Sequence, residues 1–325
     1  MRDGRITAIS PITELDHQPT DMLMLGVMDR TYDDSRILYP MVRKSYLDGW
    51  QSGDTKPELR GKEEGLPFET VRSACEDAEG VPWVVTQNGN VARLEDGRWR
   101  VFTTADGWLG QNATCIAADQ NGMIYIGTFS RGVHRWYKGK FIQSIGRSEG
   151  LARLGIRGLF PDRQNNLWIA LSSGDVLQRY RDGEFKNYAL PAGGRAVRTM
   201  TEDAKGVIWM ANLDAQLLRI QGDEVVDETA LTPEPSRTIR CLVGTPDGSV
   251  WIGYSVAGLG RLKEGRFTRI NREQGLQDDS ICSLMPDERG WMWFGSDHGI
   301  FRARVDDLNE VMERRTGIPI TLSVI

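Results

Sequence analysis

The sequence predicts an all-β protein, a β-propeller of four-stranded blades, on three observations. One phrase, ending in Asp-x-x-Gly-x-x-Trp and followed by a short apolar run, recurs with its marker aromatic at Trp83, Tyr125, Trp168, Trp209, Trp251 and Trp293. The spacings are 42, 43, 41, 42 and 42 residues. Within each period, four short segments of alternating apolar and polar residues are separated by turn residues, which is the pattern of a four-stranded meander. A period in the low forties built from short strands belongs to a propeller blade rather than to a helical solenoid.

The first clear unit runs through Val71–Asp77, a turn at Gly80, Pro82–Val85, Asn90–Leu94, a turn at Asp96-Gly97 and Arg98–Phe102. The turn before each marker carries Gly80, Gly122, Asn165, Gly206, Gly248 and Gly290, and Asn fits there because it tolerates positive φ best after Gly. A second turn carries Gly97, Gly139, Gly183, Gly222 and Gly265, followed two residues later by Trp99, Phe141, Phe185 and Phe267. The fourth repeat has Glu224 in that place, which predicts a weaker outer strand.

Six units cover residues 65–305, and propellers commonly have four to eight blades, so we expect seven: six clear repeats plus a degenerate or incomplete one. Residues 1–64 are expected to hold a closing strand, from the likeness of residues 1–9 to residues 263–270, and a degenerate blade or an insertion. Their cluster of acidic and aromatic residues, Asp29–Arg36 with Tyr39, Tyr46 and Trp50, could alternatively cap the ring or bind a partner. Residues 306–325 read as a short helix and an apolar strand without a cap. An unpaired apolar strand is an aggregation hazard, so a chain cut from a longer protein is the simpler expectation.

Composition agrees with a globular chain. The 36 glycines and 10 tryptophans suit tight turns and large wedge-filling aromatics. A net charge of -5 argues against a broad nucleic-acid or anionic-membrane footprint. There is no run of 18 apolar residues for a spanning helix and no secretory leader pattern, so the chain itself does not state a compartment. Cys75, Cys115, Cys241 and Cys282 fall on first strands of different units and have no zinc spacing. Face-packed blades lie about 10 Å apart and come within the roughly 7 Å that a bridge spans only close to the axis, so buried free thiols are the expectation. No cofactor, no metal site and no catalytic residue is assigned.

Aligning the units on the marker exposes one constellation. Eleven residues before it stand Arg72, Thr114, Arg157, Arg198, Arg240 and Cys282, arginine in four of six units. These positions begin the first strand, at the end of the ring that also carries the loops between second and third strands. Converging guanidinium groups there would bind a carboxylate, phosphate or sulfate bidentately. The alternative is neutralisation of each arginine by a carboxylate of its own or the neighbouring blade, with Glu76 and Glu202 as the obvious partners. A second recurring arginine, at Arg93, Arg135, Arg179, Arg219, Arg261 and Arg302, lies on the third strand and reads as interblade or surface pairing. The variable loops at the mouth add Arg131, Tyr254, Asp297 and His298 as ligand-binding candidates, since variation on a constant frame is how loops acquire specificity.

The stretches Val71-Arg72 to Thr86, Val197-Arg198 to Trp209, Ile239-Arg240 to Gly253 and Gly290 to Ser296 resemble two-component regulator propeller repeats. The junction phrases Glu64-Gly65-Leu66-Pro67, Glu149-Gly150-Leu151 and Gln274-Gly275-Leu276 fit that family too. The resemblance covers residues 65–305 and implies a bacterial, periplasmic sensor propeller of a hybrid histidine kinase, commonly seven-bladed. The chain has no kinase core. The expected function is therefore non-catalytic sensing of a polar or anionic small molecule or oligosaccharide at the channel mouth, with protein partners or separate signalling domains, no nucleic acid and no membrane insertion by this chain. A protein-binding scaffold is the alternative. A propeller lyase is a third reading, because related propellers include lyases of cyclic antibiotics that use a histidine, acidic groups and a metal at the mouth. Only His298 is expected there, with His134 on a third strand and His17 in the unassigned region.

Overall fold

The computed structural model describes residues 64–67, 71–110, 112–191, 195–232, 238–287, 290–297, 299–313 and 323–324. They form six four-stranded antiparallel sheets. The first blade is β1 (Val71–Glu76), β2 (Pro82–Thr86), β3 (Val91–Glu95) and β4 (Arg98–Val101). The second is β5 (Ala113–Ala118), β6 (Ile124–Thr128), β7 (Val133–Tyr137) and β8 (Lys140–Ile145), and the third is β9 (Ile156–Pro161), β10 (Leu167–Leu171), β11 (Val176–Arg181) and β12 (Glu184–Ala189). The fourth is β13 (Val197–Glu202), β14 (Ile208–Asn212), β15 (Leu217–Gln221) and β16 (Glu224–Asp227). The fifth is β17 (Ile239–Gly244), β18 (Val250–Tyr254), β19 (Leu259–Lys263) and β20 (Arg266–Ile270). The sixth is β21 (Ile281–Pro286), β22 (Trp291–Ser296), β23 (Gly299–Arg304) and β24 (Ser323–Val324), with the helix α1 (Val305–Glu313) between its last two strands.

The recurring phrase is a hydrogen-bonded device. In the third blade Asp162 Oδ1 accepts the backbone N–H groups of Gln164 and Asn166, both at 2.9 Å, which shapes the hairpin. Its Oδ2 accepts the indole N–H of the marker Trp168 at 2.8 Å. Asp77, Asp203 and Asp287 hold Trp83, Trp209 and Trp293 alike, and Asp119 takes the Tyr125 hydroxyl. The fifth unit departs from the phrase: Thr245 Oγ1 receives the Trp251 indole at 3.0 Å while Asp247 organises the turn. Asn165, in the glycine place of the third hairpin, has φ +62° as expected.

Alternating residues of each blade fill the wedge to the next one. Trp83, Val85 and Phe102 meet Ile116, Ile124 and Ile126, and Trp251, Leu259 and Ile270 meet Leu284, Phe294 and Phe301. Inner strands pack in succession, β1 on β5, β5 on β9, β9 on β13, β13 on β17 and β17 on β21, with no comparable contact between β21 and β1 among the described residues. On its other side the first blade carries a separate cluster, Leu66, Ala74, Val84, Ala92 and Trp99. Val84 and Ala92 are fully buried although no described blade lies against them. The expected seventh blade is assigned to residues 1–64, of which residues 1–63 lie outside the described residues.

Two expectations change. The apolar C-terminal strand is paired, Val324 with Phe301 and Ser323 with Arg302, so it supplies the outer strand of the sixth blade instead of an unpaired end. Blade six therefore extends past residue 305 by looping through α1, whose Leu308 and Met312 join the interblade core and whose Asn309 and Glu313 bond Arg261 of the fifth blade. The fourth blade's outer strand is the weaker one expected, although it keeps an apolar contact despite Glu224. Elsewhere both hairpin residues before β4, β8, β12 and β20 have positive φ, with Gly second. Before β16 the order is Gly222-Asp223, the frame moves by one residue, and Val225 opposite Ile220 fills the place of the aromatics. β16 is still short, with no buried residue.

The second arginine series lies directly opposite the marker aromatics, pairing Trp83 with Arg93, Tyr125 with Arg135, Trp168 with Arg179, Trp209 with Arg219, Trp251 with Arg261 and Trp293 with Arg302. Arg93 bonds Asp77 at 2.9 Å and reaches the face of Trp136 in the next blade, and Arg135 reaches Tyr180 Oη of the next blade at 3.4 Å. All four cysteines are free, three of them buried. Burial pushes the Cys115 and Cys241 thiols up to about 12, so they behave as small apolar side chains. Each packs against a glycine, Gly127 or Gly253, where an added Cβ would lie 2.5 or 2.4 Å from the sulfur.

Candidate functional site

In a four-stranded meander the start of the first strand, the loop between second and third strands and the junction to the next blade share one end. That end is the mouth. The six-fold constellation lies there because of a repeated backbone irregularity. Ladder register between first and second strands breaks once in every blade, at Val71/Ser73, Ala113/Cys115, Ile156/Gly158, Val197/Thr199, Ile239/Cys241 and Ile281/Ser283. The extra residue of each bulge is Arg72, Thr114, Arg157, Arg198, Arg240 or Cys282. A bulge inserts one residue, bends the strand and re-aims its side chain.

Three of these side chains bond the inner strand of the following blade. Arg72 Nη1 donates to the Ala113 carbonyl at 3.4 Å, and its Nη2 to the Gln87 carbonyl at 3.0 Å. Thr114 Oγ1 donates to the Ile156 carbonyl at 2.7 Å. Arg240 Nη1 lies 3.0 Å from both Cys282 Sγ and Asp297 Oδ1, and the Cys282 thiol donates to Asp297 at 3.2 Å. Burial opposes the charge of Asp297, yet Arg240 and the hydrogen bonds from Cys282 and Ser280 hold its carboxyl below the usual range. Arg198 is buried and Arg157 half-buried. The bulge residues thus tie successive blades together around the mouth while placing guanidinium groups there.

At Arg240 the neutralising carboxylate comes from the neighbouring blade, while Glu202 is engaged elsewhere. Glu202 accepts the backbone N–H and the Nε of Arg163, at 2.9 and 3.0 Å, at the opposite end of the ring. The carboxylate beside Arg240 is Asp297, from the mouth loop of the next blade. Of the loop candidates, Arg131 is exposed, Asp297 is half-buried against Arg240, and Tyr254 is the last residue of β18, buried among the core of the fourth and fifth blades. His298 lies outside the described residues. Among the described residues no three His, Cys, Asp or Glu side chains come together so as to hold a metal ion.

His134, on β7, is 7 % exposed, with Ser144 Oγ 3.0 Å from Nδ1 and Trp108 edge-on at 4.9 Å. Its Nε2 has no partner among the described residues. Burial, and secondarily the charge of Arg131, lower its pKa. The unfolded chain then binds a proton that the folded ring refuses, so stability falls as pH drops below the ordinary histidine value of about 6.5. Urea titrations from pH 7 to 5 are expected to show this slope, at most about 1.4 kcal/mol per pH unit, flattened in His134→Gln.

The sequence alone does not show the aspartate device or the bulges as such. The signal for the first was available, as a carboxylate six residues before five of the six markers. The second leaves no signature beyond the constant spacing of eleven.

Fold and mouth together define a β-propeller of inner-strand-bulged, four-stranded blades. Its sixth repeat, over residues 275–298, matches the two-component regulator propeller model. Among solved structures, a streptogramin B lyase superposes with a TM-score of 0.61 at 16 % identity, covering 74 % of this chain and 82 % of that one. The extracellular domain of the putative one component system BT4673 from B. thetaiotaomicron gives 0.58 at 18 % identity, covering 74 % of this chain but 34 % of its own, so the chain spans about a third of that domain's length. YCF48 bound to D1 peptide gives 0.56 at 14 %, covering 73 % and 78 %. At such identities the likeness is one of fold. No curated protein sequence matches the chain. No helix among the described residues is long and apolar enough to cross a membrane.

Proposed function

We propose that this chain is the non-catalytic sensing propeller of a two-component-type signalling protein, acting outside the cytoplasm and binding an anionic or polar small molecule or oligosaccharide at the mouth. The observation that carries the reading is the six-fold bulge, which holds the mouth position of every blade and is arginine in four of them. A rigid frame that re-aims guanidinium groups suits bidentate capture of carboxylate, sulfate or phosphate. The repeat match and the fold likeness to an extracellular sensor domain support the signalling context. On this reading residues 1–64 supply the degenerate seventh blade, which is supported by a face of the first blade that is buried with no described blade against it.

Thermal shift tests the reading. Uronic-acid and sulfated oligosaccharides, neutral oligosaccharides and phosphate compounds are compared on the parent and on an Arg157→Ala/Arg198→Ala/Arg240→Ala variant. A ligand at a hundred times its dissociation constant adds about 2.7 kcal/mol, a rise of several degrees. A shift confined to anionic compounds and lost in a still-folded variant is expected. No shift with any compound, together with a strongly destabilised variant, would leave the bulge arginines as interblade ties only.

A further inference from the structure

Large apolar side chains that stay exposed are informative when they gather on one surface. Among the described residues three do so, Leu109 at 62 %, Phe129 at 66 % and Val256 at 57 % exposure. All three lie at the mouth end: Leu109 in the junction from β4 to β5, and Phe129 and Val256 in loops between second and third strands. The hairpins at the opposite end instead carry the turn aspartates Asp77, Asp119, Asp162, Asp203 and Asp287. The two ends of the ring thus differ in chemistry.

Leu109 and Phe129 belong to one sector. The Phe129 backbone N–H donates to the Asn112 carbonyl at 3.0 Å, tying its loop to the junction that contains Leu109. Gly132, in the same loop, donates to the Leu154 carbonyl at 2.9 Å and so fixes the loop against the next junction. That junction carries Arg153, whose Nε lies 2.9 Å from an ideal Cβ on Gly174 of the third blade's mouth loop. Arg131 is two residues from Phe129, and its charge acts on His134 beneath Trp108.

Both guanidinium groups are exposed and have neither an ion pair nor a hydrogen bond among the described residues. The carboxylates of the two junctions are otherwise engaged: Asp106 with Arg100 at 2.9 Å and with Thr103, and Glu149 with the Gly146 N–H at 2.7 Å and with Ser148. Two exposed apolar side chains and two arginines that have no ion pair among the described residues therefore share neighbouring mouth loops tied by backbone hydrogen bonds. Aromatic and aliphatic anchors beside arginine are what a protein-binding hot spot is made of.

We propose that Leu109, Phe129, Arg131 and Arg153 form a docking patch for an acidic protein segment that carries an apolar side chain. The apolar pair receives that side chain and the arginines receive the flanking carboxylates. None of the four is a bulge residue, and although Arg131 is also a mouth-loop candidate, the patch is tested with variants that leave the bulge arginines intact.

The test is fluorescence anisotropy on the full chain with a labelled peptide of Asp and Glu residues around a single Phe. Controls replace the Phe by Ala or the acids by Lys. Leu109→Ala/Phe129→Ala and Arg131→Ala/Arg153→Ala change exposed side chains, so parent-like melting temperatures are expected. The result expected is saturable binding of the acidic Phe peptide only, weakened tenfold or more in each double variant and further by added salt in the parent. Absence of saturable binding, equal binding of the Ala peptide, or affinity unchanged in both variants would overturn the proposal.

Discussion

Asp162→Ala is expected to lower the unfolding free energy by at least about 3 kcal/mol in urea titration, because it orphans several buried donors at once and each costs about 1–3 kcal/mol. Asp162 is 6 % exposed, and its two oxygens receive the N–H groups of Gln164 and Asn166, the Asn166 side-chain amide at 2.7 Å and the Trp168 indole. Alanine leaves the hairpin amides and the indole without an acceptor in a site that admits little water. The same device predicts a graded series. Thr245→Ala removes the acceptor of one indole while Asp247 still organises the turn, so its loss should be about 1–2 kcal/mol. Equal losses at both positions would show that the indole bond alone matters and that the hairpin amides find water.

Why the sequence spoke clearly of the fold and only partly of the site follows from the same chemistry. A marker aromatic every 41 to 43 residues reports a local unit, because Trp168, its aspartate and its turn lie within seven residues. Such units are written contiguously and can be read contiguously. The mouth is assembled across blades. Arg240 meets Cys282 and Asp297, 42 and 57 residues away, and nothing in the phrase around Arg240 announces either partner. Local neutralisation by Glu202 was a sensible expectation from adjacency on one strand, but residue 202 ends β13 at the opposite end of the ring from residue 198. Tyr254 shows a similar limit: its place beside a turn suggested a loop, whereas one more ladder residue keeps it in β18 and in the core. The reversed order Gly222-Asp223 was visible in the sequence, and its effect on strand frame explains why Val225 rather than Glu224 packs inward.

Removal of residues 1–63 is expected to abolish cooperative unfolding of the remaining chain. The first blade buries Ala74, Val84, Ala92 and Trp99 on a side where no described blade stands, and among the described residues β21 does not pack on β1 as successive inner strands do on one another. Uncovering these side chains costs roughly 1.5–3 kcal/mol for each of the larger ones. By the alternation that turns Trp83 and Trp251 towards the following blade, Trp293 of the sixth blade, 1 % exposed, is expected to lose its cover as well. The sum approaches the roughly 5–15 kcal/mol by which a whole domain is stable. Blades contact only their neighbours, so the end blades of a shortened arc lose their covering while the central ones keep theirs. Unfolding followed by circular dichroism should therefore become broad, beginning in the first and sixth blades. A sharp transition at the parental temperature would instead make the six-blade arc self-sufficient, and would reassign residues 1–63 as an appendage free to cap the mouth or to meet a partner.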